Sequence, residues 1–155
     1  MDITTLVAAI EGRLGEDAFA VVLSGPDWQA LASVLERREL HPGELLLRRG
    51  QADARAFLVE RGQLQVYVTG EPPGSQRTAT LHAGTVVGES GLFGATPCAA
   101  HVEAVTPCVV WVLAAARLQA LATTAPALVA EVLRAAGAVL ALRQRALRER
   151  GTPWA

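Results

Sequence analysis

The sequence predicts a mainly β protein with flanking helices, an α+β fold in which an antiparallel β-roll or jelly roll lies between N-terminal helices and two C-terminal helices. Three observations predict this fold class. Apolar residues recur at helical spacing up to about residue 39. Between residues 40 and 113, short β-prone segments alternate with turn residues at intervals of about eight to twelve residues. From residue 115 onward the chain is rich in alanine and leucine and has few helix-breaking residues.

Two helices are predicted in the first 39 residues. The first is amphipathic, with Asp2 as a cap and Gly15 at its end, and its apolar face consists of Ile3, Leu6, Val7, Ile10 and Leu14. The second begins near Pro26, because proline is favoured in a first helical turn, and its apolar face consists of Trp28, Leu31, Ala32 and Leu35. Both faces are expected to pack on the protein's own core, although a partner-binding role for the first helix stays open. Arg37 and Arg38 are expected to be a solvated pair after the second helix.

Turn residues divide the β region into short strands. Predicted strands cover residues 44–48, 56–60, 64–69, 77–81, 99–104 and 109–113. In the third of these, apolar Leu64, Val66 and Val68 alternate with Gln65 and Tyr67, as a half-buried strand requires. Residues 70–76, Gly-Glu-Pro-Pro-Gly-Ser-Gln, predict an exposed loop that takes no part in chemistry.

Residues 84–104 carry the strongest functional signal in the chain. Four glycines in this segment allow a tight backbone path, Glu89 places a carboxylate beside that path, and Pro97 favours an extended exit. A short helix that begins near Ser90 would direct backbone N–H groups into the concave side of the path. The residues therefore predict a cradle for an anion such as a phosphate.

Two helices are predicted after the β region, over residues 115–122 and from 126 to about 150. The apolar residues of the longer helix form two adjacent stripes, which consist of Leu128, Val132, Ala135, Val139, Leu142 and Ala146, and of Leu133, Ala136, Leu140 and Leu147. An arc this wide can serve two surfaces. One is the β-roll, and the other is either a second copy of the chain or the outer face of a ligand, so packing within one chain and a homodimer both stay open. The cluster Arg143, Arg145, Arg148 and Arg150 is expected to be solvated near the negative pole of the helix.

Composition excludes several classes of protein. With 155 residues, 51% of them hydrophobic, and a formal net charge of −1, the chain fits one folded domain without a basic nucleic-acid-binding surface. No apolar run approaches the roughly 20 residues of a membrane span, and the N-terminus does not resemble a secretory signal. We therefore expect a cytoplasmic protein with neither DNA nor a membrane as partner. Cys98 and Cys108 are expected to be free thiols, and with His101 they have poor spacing for zinc, so no metal is expected.

The order and spacing of residues 88–100 resemble the phosphate-binding cassette of the cyclic nucleotide-binding domain family. That family includes the β-roll domains of bacterial catabolite activator-type regulators and of cAMP-dependent kinase regulatory subunits. Its pattern is Gly-Glu, a small or apolar stretch, and then Pro-Arg and two small residues before a strand. Gly88-Glu89, Pro97 and Ala99-Ala100 match this pattern without a gap. The glycine and proline framework resembles the family's β-roll over residues 40–113, and residues 84–104 are called the cassette below.

The resemblance implies a stand-alone regulatory module that binds a cyclic nucleotide, such as cAMP or cGMP, or a related phosphate ligand. It implies that Glu89 holds the sugar 2′-hydroxyl and that backbone N–H groups of Gly91, Leu92 and Ala99 bind the phosphate. The last helix would be the lid that transmits the ligand state and, as in the bacterial activators, a dimer interface. The candidate ligand-binding residues are Gly88, Glu89, Ser90, Gly91, Leu92, Cys98, Ala99, Ala100 and His101. No cofactor besides such a ligand is expected.

One position departs from the family pattern, because Cys98 stands where the family has the arginine that pairs with the cyclic phosphate. A neutral thiol cannot replace a forked cation, and loss of such a contact costs on the order of 2–5 kcal/mol of binding free energy. His101 replaces a usual Ser or Thr, and its protonated form could restore some positive charge. The departure motivates an alternative hypothesis, a degenerate domain that binds no ligand and serves as a dimerisation or protein-interaction adaptor.

The chain is expected to divide into N-terminal helices (1–39), a β-roll (40–114) and C-terminal helices with a short tail (115–155). Bacterial activators of the family carry a DNA-reading domain after the last helix, and residues 151–155 are too few for one. We therefore expect a protein partner. Catalysis is not expected, because Glu89, Cys98 and His101 are the titratable groups expected near the cradle, and the last two point to opposite faces of the predicted strand.

Overall fold

Eight strands and four helices succeed one another in the part of the chain that the structure describes. This structure, a computed structural model, describes residues 2–68, 77–94 and 96–150. The helices are α1 (Thr4–Gly12), α2 (Gly25–Ala32), α3 (Ala115–Leu121) and α4 (Pro126–Arg150). The strands are β1 (Leu35–Leu40), β2 (Leu45–Leu47), β3 (Arg55–Arg61), β4 (Leu64–Tyr67), β5 (Arg77–Leu81), β6 (Val86–Val87), β7 (His101–Ala104) and β8 (Cys108–Ala114). A 3-10 helix, Glu89–Leu92, follows β6.

The strands form two antiparallel sheets of four strands each. Their orders are β1-β8-β3-β6 and β2-β7-β4-β5. In the first sheet, β8 is a central strand that pairs along its whole length with β1 and β3. In the chain, α1 and α2 precede the strands and α3 and α4 follow them. Helix α4 is the longest of the four helices. This arrangement confirms the predicted antiparallel β-roll with flanking helices.

The central strands of the first sheet, β3 and β8, are buried on both faces, and their sequences reflect this. On β3, Ala56 and Leu58 belong to the core that the helices cover, whereas Phe57 and Val59 belong to the core that includes residues of the second sheet. Because successive side chains of a strand point to opposite faces, a strand covered on both sides is continuously apolar. Strand β4 shows the predicted alternation, with Leu64 and Val66 buried and Gln65 and Tyr67 half-buried.

The sequence does not predict β1, and this expectation has to be corrected. Leu35 belongs to the strand and not to the apolar face of the second helix, and Arg37 and Arg38 lie within the strand. The four residues between Leu35 and Leu40 are all charged, so the segment lacks the apolar alternation typical of a strand. Its backbone is nevertheless fully paired with β8. The division of the chain at residues 39 and 114 stays a prediction, and β1 crosses the first boundary.

A capping box marks the start of α2, and α1 ends earlier than predicted. The Ser24 side chain accepts a hydrogen bond from the Asp27 N–H at 3.2 Å, and the Asp27 carboxylate accepts one from the Ser24 N–H at 3.4 Å. This capping box begins α2 one residue before Pro26. The first helix ends at Gly12 and not at Gly15, so Leu14, expected on its apolar face, is 96% exposed.

Helix α4 packs against its own chain over its first half. Leu128, Val132, Ala135 and Val139 of the first predicted stripe are buried in the helix-covered core. This packing places the second half of the helix beside the 3-10 helix. Within the described residues, no helix combines the length and the apolar character needed to cross a membrane. The loop predicted at residues 70–76 and the tail at 151–155 lie outside the described residues.

Candidate functional site

Both halves of the cassette and the second half of α4 line one cavity. The cassette contributes residues 88–91 and 96–99 to the cavity lining, and α4 contributes Leu140, Arg143, Gln144 and Leu147. The cavity volume is about 150 Å³. Leu140 and Leu147 belong to the second apolar stripe of the helix, and the outer face of a ligand is one of the surfaces left open for the arc that the two stripes form.

Two glycines shape the first half of the cassette. Gly88 has a φ of +70°, in the left-handed region that residues other than glycine adopt only at a cost in free energy. A Cβ on Gly91 would lie 2.6 Å from the carbonyl oxygen of Asp53 and 2.9 Å from that of Arg55. The 3-10 helix therefore packs directly on the backbone that enters β3, with no room for a larger residue.

The second half of the cassette is attached to the same stretch of chain. The Cys98 N–H donates to the Gln51 carbonyl at 2.9 Å, and the Gly50 N–H donates to the Cys98 carbonyl at 2.9 Å. Pro97 forms an isolated antiparallel bridge with Ala52. Residues 50–55 thus contact both halves of the cassette.

Glu89 forms a buried ion pair with a residue of α4. Arg143 Nη1 donates to Glu89 Oε2 at 2.7 Å and to the Val86 carbonyl at 2.7 Å, and its Nη2 donates to Thr85 Oγ1 at 3.0 Å. The side chains of Glu89 and Arg143 are each only 2% exposed. Burial raises the pKa of the Glu89 carboxyl, and the charge of Arg143 opposes that rise.

The expectation that Arg143 is solvated is therefore wrong. Arg143 follows Val139 by four residues, so it continues the buried face of the helix instead of the exposed one. Arg145 and Arg148 are exposed, as expected. The helical position of Arg143, together with a carboxylate in the cassette that needs a partner, is the signal that could have identified it.

A second ion pair lines the cavity, between Asp53 and Arg55 at the start of β3. Arg55 Nε donates to Asp53 Oδ1 and Arg55 Nη2 donates to Asp53 Oδ2, both at 2.9 Å. The Asp53 side chain is 11% exposed and that of Arg55 is 43% exposed. The guanidinium carbon lies 5.3 Å from the centre of the Phe57 ring. The sequence analysis missed both residues, because no motif marks a charged pair in the turn before a strand.

The candidate site residues fall into two groups. The group that lines the cavity consists of Gly88, Glu89, Ser90, Gly91, Cys98 and Ala99. The other three lie outside its lining: Leu92 packs against the helix-covered core, Ala100 is fully buried in the second core, and His101 lies on β7. Of the amides expected to bind phosphate, the Gly91 N–H donates to the Gly88 carbonyl at 3.0 Å within the 3-10 helix.

The charges of the second half of the cassette differ from the family pattern. Burial and the charge of Asp53 raise the pKa of the Cys98 thiol, so this side chain supplies no charge near neutral pH. His101 Nδ1 accepts a hydrogen bond from the Arg49 N–H at 3.2 Å, and its ring lies 5.2 Å from that of Tyr67. Among the described residues, the cations that line the cavity are Arg55 and Arg143. No three potential metal ligands of that part of the chain come together.

A comparison with known protein families assigns the β region to one of them. Residues 37–125 match the family model described as the cyclic nucleotide-binding domain. The chain belongs to this family. The match extends from β1 through the whole cassette to the turn before α4.

Relatives with this domain differ in overall size. The chain is 26% identical over 106 residues to the cAMP-dependent protein kinase regulatory subunit of Blastocladiella emersonii. The aligned region covers 68% of this chain but only 26% of that protein, so the chain spans about a quarter of the length of this curated relative.

Solved structures show the same fold. A cyclic nucleotide-binding domain from Methylobacillus flagellatus superposes with a TM-score of 0.78 at 23% identity, over 94% of this chain and 81% of that one. The catabolite activator protein of Thermus thermophilus superposes with a TM-score of 0.65 at 25% identity, over 83% of this chain and 57% of that one. The first match includes nearly the whole chain.

Proposed function

We propose that the protein is a regulatory module that binds a cyclic nucleotide, or a related phosphate ligand, in the cassette and transmits the ligand state through α4. Membership of the cyclic nucleotide-binding domain family supports the ligand class. The observation that supports transmission is the buried contact between Arg143 of α4 and Glu89 of the cassette.

The Glu89–Arg143 contact couples ligand and helix for a physical reason. A carboxylate has two oxygens and about four acceptor sites, so Glu89 can accept from Arg143 and from a ligand hydroxyl together. A ligand hydroxyl at Glu89 would lie beside the guanidinium that holds α4 to the cassette. Leu140, Gln144 and Leu147 of the same helix line the cavity as well. A ligand that contacts both elements has a different affinity for each arrangement of them, which is the requirement for a conformational response.

Thermal unfolding tests whether the cavity binds such a ligand. The melting temperature of the wild type is measured with increasing cAMP, cGMP and cyclic dinucleotides, and with non-cyclic AMP and inorganic phosphate as controls. A ligand that binds only the folded state raises the melting temperature by an amount that grows with its concentration. We expect this behaviour for at least one cyclic nucleotide. Unchanged melting temperatures at millimolar concentrations of every cyclic compound would contradict the proposal.

The adaptor hypothesis is favoured by one observation, the replacement of the family's arginine by Cys98. In that case the protein would keep the β-roll as a binding surface for proteins and would bind no nucleotide. Cys98→Arg distinguishes the hypotheses. Tight binding of cAMP by Cys98→Arg together with no binding by the wild type supports the adaptor, whereas tight binding by the wild type excludes it.

The remaining parts of the proposal concern output. We propose that the protein acts without catalysis, because the raised pKa of Cys98 leaves the cavity without a thiolate nucleophile near neutral pH. We also propose a protein partner and a homodimer through α4, whose outer residues such as Ala138 and Ala141 are exposed. Sedimentation at several protein concentrations tests the dimer. A cytoplasmic location fits the two free cysteines.

A further inference from the structure

We propose that Arg55 replaces the missing cassette arginine as the cation that binds the ligand's phosphate. This inference rests on the proposed function, and it explains how an anionic ligand can bind despite Cys98. It assigns a ligand-binding role to a residue of β3 that lies outside the family's cassette motif.

The backbone places Arg55 next to both halves of the cassette. Gly91 is so close to the chain at residues 53–55 that a Cβ there would lie 3.1 Å from the Arg55 nitrogen. Cys98 is hydrogen-bonded to Gln51, four residues before Arg55. Arg55 and Cys98 both line the cavity. A cation at position 55 therefore lies on the same wall of the cavity as the arginine that the family has at position 98.

The charges of the cavity require a cation at this place. Two carboxylates line it, Glu89 and Asp53, and Arg143 is already bonded to Glu89, a carbonyl and a hydroxyl at 2% exposure. Asp53 and Cys98 both line the cavity, and the charge of Asp53 contributes to the raised pKa of the Cys98 thiol. An unscreened carboxylate would repel a phosphate, and at this end of the cavity Arg55 is the group that neutralises it.

The guanidinium of Arg55 has donors left for a second anion. It carries five N–H groups in a planar fork, and Asp53 uses Nε and Nη2. Among the described residues, Nη1 has no hydrogen-bond acceptor. The cation–π contact with the Phe57 ring helps to hold the guanidinium in place, and the side chain is 43% exposed. Asp53 can thus orient one edge of Arg55 while the other edge binds a phosphate, as forked arginine contacts do.

Calorimetric titration with cAMP and cGMP tests the role of Arg55. The variants are Arg55→Met and, as a matched control, Arg37→Met. Arg37 also pairs with a carboxylate two residues away, Glu39, but it lies on β1 outside the cavity lining. Loss of a charge-assisted hydrogen bond should weaken binding by about 10-fold to 150-fold in Arg55→Met. Arg37→Met should bind like the wild type.

A rescue variant separates a lost charge from a damaged fold. In the background of Arg55→Met, Cys98→Arg should restore most of the affinity, because Asp53 is then available to hold the new guanidinium. Binding that is lost in Arg55→Met and not restored would show that Arg55 acts through packing and would overturn the inference. Equal affinity of Arg55→Met and the wild type would overturn it while the proposed function stands. No binding by the wild type would overturn both.

Discussion

The two ion pairs that line the cavity differ in burial, and the difference separates their roles. Glu89 and Arg143 are each 2% exposed, lie on the 3-10 helix and on α4, and are 54 residues apart in sequence. Asp53 and Arg55 are 11% and 43% exposed and are two residues apart. The first pair joins two elements of the fold, whereas the second keeps a charged group at the surface of the cavity.

Burial determines what each pair contributes to stability. Breaking a buried pair leaves an uncompensated charge in the interior, which costs about 3–5 kcal/mol. An exposed pair contributes about 0.2–1 kcal/mol, because water screens both charges. We therefore expect the Glu89–Arg143 pair to hold α4 on the cassette and the Asp53–Arg55 pair to serve ligand binding.

The largest effect is expected for Arg143→Met. Removing the guanidinium leaves the Glu89 carboxylate buried without its cation, so the free energy of unfolding should fall by about 3–5 kcal/mol. Urea denaturation measures this change. The matched control is Arg145→Met, on the same helix but exposed, which should change stability by less than about 0.5 kcal/mol.

A double variant decides whether the loss comes from the charge. Arg143→Met leaves the Glu89 carboxylate without its cation, and Glu89→Gln removes that carboxylate. The double variant should therefore be more stable than the sum of the two single changes predicts. Simple additivity would mean that the two side chains contribute independently and would refute the coupled pair.

Gly91→Ala should produce the next largest effect. The added Cβ would lie 2.6 Å from a backbone oxygen, which cannot move without shifting the start of β3, so we expect a loss of about 1–3 kcal/mol. Gly94→Ala is the control, because a Cβ at that glycine meets no atom within 4 Å. Denaturation midpoints of the two variants measure the difference, and equal midpoints would argue against the close packing of the 3-10 helix on residues 53–55.

A third ion pair, outside the cavity, gives a smaller and pH-dependent effect. Hydrogen bonds from Arg134 and from the Val22 N–H lower the pKa of Glu131 from its usual value of 4.5 to about 2. Because the pKa of Glu131 is lower in the folded state, its ionised carboxylate stabilises the fold above pH 4.5. This contribution is lost as the pH falls toward 2. After solvent screening, we expect at most about 1 kcal/mol. Stability measured from neutral to acid pH should fall less steeply in Glu131→Gln than in Glu149→Gln, and parallel curves would contradict the assignment.

The smallest effect on stability is expected for Arg55→Met, in contrast to its effect on binding. Its ion pair is half-exposed, so the free energy of unfolding without ligand should change by only about 0.5 kcal/mol. Urea denaturation of the ligand-free variant measures this change. A loss similar to that of Arg143→Met would erase the distinction between the two pairs.

The fold could be predicted from the sequence because its signals are local. Glycine and proline positions mark the turns, alternation marks β4, and the apolar stripes mark α4. The cassette is also local, since Gly88-Glu89 and Pro97 lie within ten residues of one another. Strand β1 could not be predicted, because its charged sequence has no local strand pattern. It is a strand because its backbone pairs with the distant β8.

The charged partners of the cavity could not be predicted in the same way. Arg143 and Arg145 look alike in sequence, but one is buried and the other exposed. Which one is buried depends on how α4 crosses the cassette, a long-range property of the fold. Arg55 likewise becomes part of the cavity only because residues 50–55 contact both halves of the cassette.

Amide hydrogen exchange along α4 tests most directly whether ligand binding at the cassette reaches the helix. Exchange is measured in the second half of α4 with and without a cyclic nucleotide that calorimetry has shown to bind, and in Arg143→Met under the same conditions. We predict slower exchange in this part of the wild-type helix when the ligand is bound, and a much smaller change in Arg143→Met. Unchanged exchange in the wild type at saturating ligand would contradict the role of the Glu89–Arg143 pair in transmission.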